Sequence, residues 1–229
     1  MRFIVYGLVG VLCFLLAAAT SISLLILGLP LGYWLAFTRS RLRLIVEPVV
    51  ALPLVLPPTV LGLCVLLALG PRSSVGRTLE QVTGRSFVFT FEGLLVASIL
   101  YSLPFAVQPF ATAFAGVDTR LREAAASLGT SALGTFFRVI LPLSRRGVLA
   151  GVILSFAHTL GEFGVVLMVG GNIPGVTRTA SIAIYDSVQA LDYPGALRTS
   201  AVLLALSLAI LMAASRLLGG LVVSGARGR

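Results

Sequence analysis

The chain has 229 residues, of which 58% are hydrophobic and only 11% are charged, and its mean hydropathy is +1.05. A soluble domain needs far more polar surface, and several apolar runs exceed the ~20 residues that span a bilayer. The composition therefore excludes a soluble protein. It predicts an all-α polytopic membrane protein that forms a single domain over 1–229.

The net charge of +9 comes from Arg alone, because all 17 basic residues are Arg. These residues cluster at the ends of apolar runs, as the positive-inside bias of membrane proteins predicts, so we expect no nucleic-acid partner. A phosphate-binding loop needs a Gly-Lys pair, so any ATP hydrolysis must occur on another polypeptide. Cys13 and Cys64 both lie in apolar runs, and we predict no metal and no cofactor.

About five spans are predicted in chain order. Residues 3–38 carry no charge, and the first span, 9–38, is too long for one upright helix. Gly28 and Pro30 mark the point where it tilts or breaks. The other predicted spans are 46–69, 93–115, 147–171 and 199–222.

The second predicted span contains Pro53 and the pair Pro57-Pro58. Proline inside a membrane helix leaves carbonyl groups unpaired, which is tolerated where protein or a water-filled path satisfies them. Two interpretations follow: a kink that serves packing, or a helix that lines a transport pathway at Pro57 and Pro58.

The distribution of Arg predicts the orientation. Loops 39–47 and 116–146 hold three and five Arg, and the C-terminal end holds three more, against six on the opposite side. The Arg-rich side of a membrane protein is cytoplasmic. We therefore predict an N-terminus outside, a C-terminus in the cytoplasm and a cytoplasmic loop at 116–146.

Loop 116–146 reads as a short helix, a turn and a second helix. Leu121, Ala125 and Leu128 recur at helical spacing, and Gly129 permits a tight turn that ends the first helix. An amphipathic pair of this size fits a groove on another protein. It also fits an interfacial helix on lipid headgroups, and the periodicity does not separate the two.

A second polar group lies in the fourth predicted span. Glu162 is an acid in an apolar run, His158 precedes it by four residues on the same predicted helical face, and Ser155 lies one turn earlier. These residues predict either a proton relay or a structural hydrogen-bond pair. Further hydroxyls and amides could line a path or join helices, namely Ser102, Gln108, Thr112 and Thr159.

The outer segment 172–196 begins with the turn sequence Asn-Ile-Pro-Gly. It continues with apolar residues at helical spacing, among them Ile182, Tyr185 and Val188. We predict a short amphipathic helix here, at the outer mouth of the protein.

The cytoplasmic loop resembles the EAA motif of binding-protein-dependent ABC importer permeases, which is Glu-Ala-Ala, three residues, Gly, nine residues, Ile, one residue, Leu-Pro. The sequence departs from it only in having Val where the pattern has Ile. The resemblance implies a type I (MetI-like) permease fold and a coupling helix seated in a cleft of an ATP-binding subunit. The motif residues are Glu123, Ala124, Ala125, Gly129, Val139, Leu141 and Pro142.

Three further blocks resemble the molybdate branch of these permeases: 52–62, 160–179 and 181–186. This resemblance implies a multi-pass protein of the prokaryotic cytoplasmic (inner) membrane that moves molybdate by alternating access. It implies a homodimer in membrane lipid, two ATP-binding cassette subunits, and a periplasmic or lipoprotein molybdate-binding protein. The alternatives are a sulfate, tungstate or other oxyanion permease of the same fold and a proton-coupled carrier that uses His158 and Glu162.

Overall fold

The computed structural model describes residues 2–217, and within this range the regular structure is entirely helical. A 3₁₀ turn, Leu52–Leu54, follows the second helix, and a π-helical turn, Phe136–Ile140, precedes the eighth. The helices are α1 Arg2–Phe37, α2 Arg43–Ala51, α3 Pro58–Leu69, α4 Ser74–Thr83, α5 Phe91–Ala115, α6 Thr119–Ser127, α7 Ala132–Thr135, α8 Leu141–Leu160, α9 Gly164–Gly170, α10 Ala180–Gln189 and α11 Tyr193–Leu217.

Four helical stretches are long and apolar enough to cross a membrane, and a fifth span results if α2 and α3 count as one bent element. The prediction of an all-helical protein with about five spans is therefore confirmed. The last helix begins at Tyr193, ahead of the predicted 199. Positions 218–222 of that predicted span lie outside the described residues, as does the C-terminal tail.

Two predicted spans differ from the observed helices. The run 46–69 is not one helix, because α2 and α3 meet at an angle of 112°. Pro57 and Pro58 lie at this break and lack the N–H groups that would continue a helix. By contrast, α1 runs unbroken through Pro30.

The predicted span 147–171 is also divided. Helix α8 begins at Leu141 and ends at Leu160, where the candidate span Ala132–Leu160 also ends, and the short helix α9 follows after a break at 161–163. The N–H of Gly161 bonds to the His158 carbonyl, 3.1 Å away, which closes the helix. The Ser181 hydroxyl donates to the freed Glu162 carbonyl over 2.5 Å, so a side chain of α10 satisfies this backbone group inside the protein.

The core lies where α1, α5 and α8 pack together. Phe110 and Phe114 on α5 are fully buried and form one apolar cluster with Leu24 of α1 and Val148 of α8. Glycine allows this close approach, because a Cβ at Gly151 would lie 2.6 Å from Phe110 Cε1. This tight three-helix contact anchors both ends of segment 116–146.

Candidate functional site

Segment 116–146 begins with the helix that carries the Glu-Ala-Ala sequence. The Asp118 carboxylate accepts the Arg120 N–H over 2.9 Å and caps the start of α6. Within the motif, Ala125 is buried, whereas Glu123 and Ala124 are exposed. Helix α6 therefore packs against the protein through the Ala125 methyl group, and its Glu123 side chain is exposed.

A glycine turn ends α6, as the sequence predicted. The Gly129 N–H bonds to the Ala126 carbonyl over 2.9 Å, and the Thr130 N–H bonds to the Ala125 carbonyl over 3.1 Å. These two bonds form a Schellman motif, which needs a left-handed residue after the helix. Gly129 supplies it with φ +77°.

The second helix of the segment leads into the membrane. The Ser131 hydroxyl caps α7 by accepting the Gly134 N–H over 3.1 Å. Val139 lies half-buried in the π-helical turn, and Leu141 lies half-buried at the start of α8. Pro142 stands in the first turn of α8, directly after the π-helical turn.

Aromatic rings attach this segment to the end of α1. The Arg122 guanidinium lies 3.9 Å from the ring centre of Phe37, a cation–π contact between α6 and α1. The Tyr33 ring packs edge-on against Phe136 at 5.3 Å. Sequence reasoning missed these contacts, because no local pattern links α1 to a loop about a hundred residues later.

The outer surface of the segment carries large apolar side chains on either side of the turn. Exposed groups of this kind in a polar loop indicate a docking surface, and the helix–turn–helix shape suits a groove on another protein. We call this set the docking patch, and its members are Leu121, Leu128, Leu133, Phe137 and Leu143.

The pathway residues predicted from the sequence fall into two places. Pro57 and Pro58 lie at the break before α3, and this break meets the one between α8 and α9. A Cβ at Gly164 would lie 2.9 Å from Pro58 Cβ, so the two chain breaks are in direct contact. The helices that follow them, α3 and α9, pack side by side.

His158 belongs to a hydrogen-bonded group between α5 and α8. Its Nδ1 lies 2.9 Å from the Ser102 hydroxyl, which lies 3.0 Å from the Thr159 hydroxyl. The imidazole also stacks on the Phe105 ring at 3.9 Å. The Ser155 hydroxyl donates elsewhere, to the Val152 carbonyl over 3.0 Å. These bonds favour the structural interpretation over the relay.

Glu162 lies apart from that group. The expectation that it shares a helical face with His158 was wrong, because α8 ends before it at Leu160. Its side chain is buried, and neither carboxylate oxygen has a hydrogen-bond partner within the described part of the chain. The same holds for the neighbouring Ser98 hydroxyl. Among the described residues no direct hydrogen bond joins Glu162 to His158, and the proton relay stays a prediction.

The predicted amphipathic helix at the outer mouth is present as α10. A polar cluster that the sequence did not reveal fixes it to the preceding turn. Asn172 Nδ2 donates to both carboxylate oxygens of Asp186 over 2.9 and 3.1 Å, and Arg178 Nε donates to Asn172 Oδ1 over 2.7 Å. The sequence Asn-Ile-Pro-Gly predicted a turn here. Asn172 adopts the left-handed conformation of such a turn, with φ +58°.

The helix order, the glycine turn and the exposed docking patch are the features of this chain that a comparison with known membrane proteins can place. Residues 28–228 match the family described as binding-protein-dependent transport system inner membrane component, and the chain belongs to this family. It is therefore a transport permease and a multi-pass protein of the inner membrane. The resemblance noted from the EAA motif is confirmed.

Individual relatives agree with this assignment. The chain is similar to the molybdenum transport system permease protein ModB of Azotobacter vinelandii, with 51% identity over 178 residues, 78% of this chain and 79% of that protein. ModB of Escherichia coli K12 is 36% identical over 202 residues, covering 86% and 87%.

A solved structure shares the fold. It is a crystal structure of a bacterial ABC transporter involved in the import of the acidic polysaccharide alginate. The TM-score is 0.70 over 91% of this chain and 78% of that chain, at 18% sequence identity. The chain thus has the type I (MetI-like) fold of ABC importer permeases.

Proposed function

We propose that this chain is the permease subunit of an ATP-driven importer that carries molybdate across the cytoplasmic membrane. The identity of 51% to a protein named as a molybdenum transport permease supports the cargo. Tungstate and sulfate are tetrahedral dianions of similar chemistry and are the nearest alternatives.

The observation that carries the coupling part of the proposal is the docking patch. Segment 116–146 presents exposed apolar side chains and the exposed acid Glu123 on a capped helix–turn–helix. An ATP-binding subunit with a complementary groove would hold this surface, and Arg122 on Phe37 would pass its movement to α1. The ATPase then drives the permease without sharing its chain.

The rest of the assembly follows from the family. Two copies of this chain pair side by side in lipid, and each binds one ATP-binding subunit. The outer face of α11 is apolar and exposed, which suits contact with lipid or with the second copy. The N-terminus lies outside and the C-terminus in the cytoplasm. A binding protein delivers the anion at outer loops 70–92 and 172–196, and alternating access moves it inward.

Co-purification tests this proposal. We expect the chain to co-purify with an ATPase whose hydrolysis rises when a molybdate-loaded binding protein is added. Glu123→Ala should weaken co-purification and uncouple hydrolysis from uptake. Glu80→Ala, which removes an exposed acid from α4 at the opposite end, is the matched control and should co-purify normally. An ATPase that never binds the wild-type chain would refute the proposal.

A further inference from the structure

A cleft opens between the C-terminal end of α1, the helix α2 and the last turns of α5. Its volume is about 430 Å³. Since one water occupies ~30 Å³ in the liquid, the cleft has room for on the order of ten waters, and therefore for a small tetrahedral oxyanion. It lies at the end of the protein that carries loop 39–47, which is the cytoplasmic end in the proposed orientation.

One wall of the cleft is a polar stripe on a membrane-spanning helix. Gln108 and Thr112 stand four residues apart on α5, and both are exposed. Neither side chain makes a hydrogen bond to another residue in the described range 2–217. Polar groups of this kind in a span usually face a cavity and not hydrocarbon. The stripe therefore indicates a water-filled space with an amide and a hydroxyl ready to donate.

The facing wall carries an ion pair on α2. Arg43 Nε donates to Glu47 Oε2 over 2.9 Å, and this is the only contact that the structure gives between the two side chains. The two terminal nitrogens of Arg43 bind no acceptor in the described range. A guanidinium can hold an oxyanion through two parallel N–H bonds, so the donors that such binding needs are available here.

We infer that this cleft is a release site for a tetrahedral oxyanion, held by Arg43, Gln108 and Thr112, and that Glu47 competes with the anion for Arg43. The inference rests on the proposed function. Without Glu47, the Arg43 guanidinium would carry an unopposed charge at the cleft, bind a dianion more tightly and slow its exit. The Glu47 carboxylate offsets that charge, which keeps the site weak enough for transport.

The test uses the complete importer, with its ATPase, in nanodiscs without nucleotide or binding protein. Equilibrium binding of radiolabelled molybdate is the readout. We expect Glu47→Gln to bind molybdate about tenfold more tightly, or ~1.4 kcal/mol, and to slow ATP-driven uptake in proteoliposomes. Adding Arg43→Gln should abolish the gain, because Glu47 acts only through Arg43.

A second ion pair provides the matched control. Arg85 and Glu92 pair over 2.6 Å near the outer end of α5, far from the cleft. Glu92→Gln removes the same charge, and in this assay, which contains no binding protein, it should leave molybdate affinity unchanged. Thermal unfolding in detergent checks that every variant assembles. Arg43→Lys keeps the charge but not the paired donors, and should bind molybdate at least threefold more weakly than wild type.

Three results would overturn the inference: unchanged affinity in Glu47→Gln, the same gain in the double variant, or unchanged binding in Arg43→Lys. Each of these is read against a wild-type importer that transports molybdate. A wild-type importer that moves no molybdate, tungstate or sulfate would instead refute the proposed function, so the two failures are distinguishable.

Discussion

Substitutions at Gly129 can test separately whether the turn that ends α6 needs its backbone conformation and whether a partner protein contacts it. Its φ of +77° is a conformation that L-residues adopt at a cost of roughly 1–2 kcal/mol. A Cβ at this position would meet no atom of the chain within 4 Å. Backbone strain at position 129 would therefore act within the chain itself. A larger side chain there would clash only with a partner protein that contacts the turn.

Three substitutions separate these effects. Gly129→Ala adds strain with almost no bulk, and 1–2 kcal/mol corresponds to about a 5- to 30-fold loss of the correct turn. Gly129→Asn adds bulk with little strain, because Asn tolerates the left-handed region. Gly129→Trp adds both. On the proposed function we expect ATP-driven molybdate uptake to fall in the order wild type, Asn, Ala, Trp.

The assay is uptake into proteoliposomes, with ATP hydrolysis measured in parallel and assembly checked by thermal unfolding in detergent. Because strain acts within the chain, Gly129→Ala and Gly129→Trp should lower the unfolding temperature by the same small amount, and Gly129→Asn should leave it nearly unchanged. Equal uptake by Gly129→Trp and Gly129→Ala would show that no partner contacts the turn. Normal uptake by Gly129→Trp would refute any role of the turn in coupling.

Three other predictions follow from local geometry. Gly151→Ala should destabilise the protein by about 1–3 kcal/mol, because its methyl group would overlap Phe110 of α5. Gly10→Ala places a methyl group with no neighbour within 4 Å and should not destabilise the protein. Thermal unfolding measures both effects. Ser181→Ala should cost about 1 kcal/mol in the same assay by leaving a carbonyl unpaired at the helix break, and Ser187→Ala on the same helix should cost less. Thr130→Cys in a cysteine-free background should react with an impermeant thiol reagent only from the cytoplasmic side, and labelling of intact cells from outside would contradict the topology.

The helix–turn–helix of segment 116–146 could be predicted in detail because its determinants are local. The cap, the glycine turn and the proline of the next helix all lie within 118–142, and each acts on backbone groups a few residues away. The length of the apolar runs likewise predicted about five spans, since the width of a bilayer sets the length of a helix.

Interactions between distant residues could not be predicted in this way. Ser102 and His158 are 56 residues apart, and nothing in either neighbourhood identifies the other. The break at Glu162 was also missed, because a Gly-Glu-Phe-Gly sequence inside an apolar run reads as continuous helix. The packing of α9 on α3 and the hydroxyl of Ser181 are the long-range contacts that stabilise this break.

Two helix breaks lie beside one packed core. Helices α1, α5 and α8 share a single apolar cluster, which includes residues at both ends of segment 116–146. Beyond the breaks, α3 and α9 pack on each other, with Pro58 set against Gly164 at the junction. Proline has no N–H to leave unpaired, and the Ser181 hydroxyl satisfies the Glu162 carbonyl, so both breaks are tolerated within the membrane. If the proposed alternating-access cycle operates by rigid-body rotation of the core, we expect the angles at these two adjacent breaks to change.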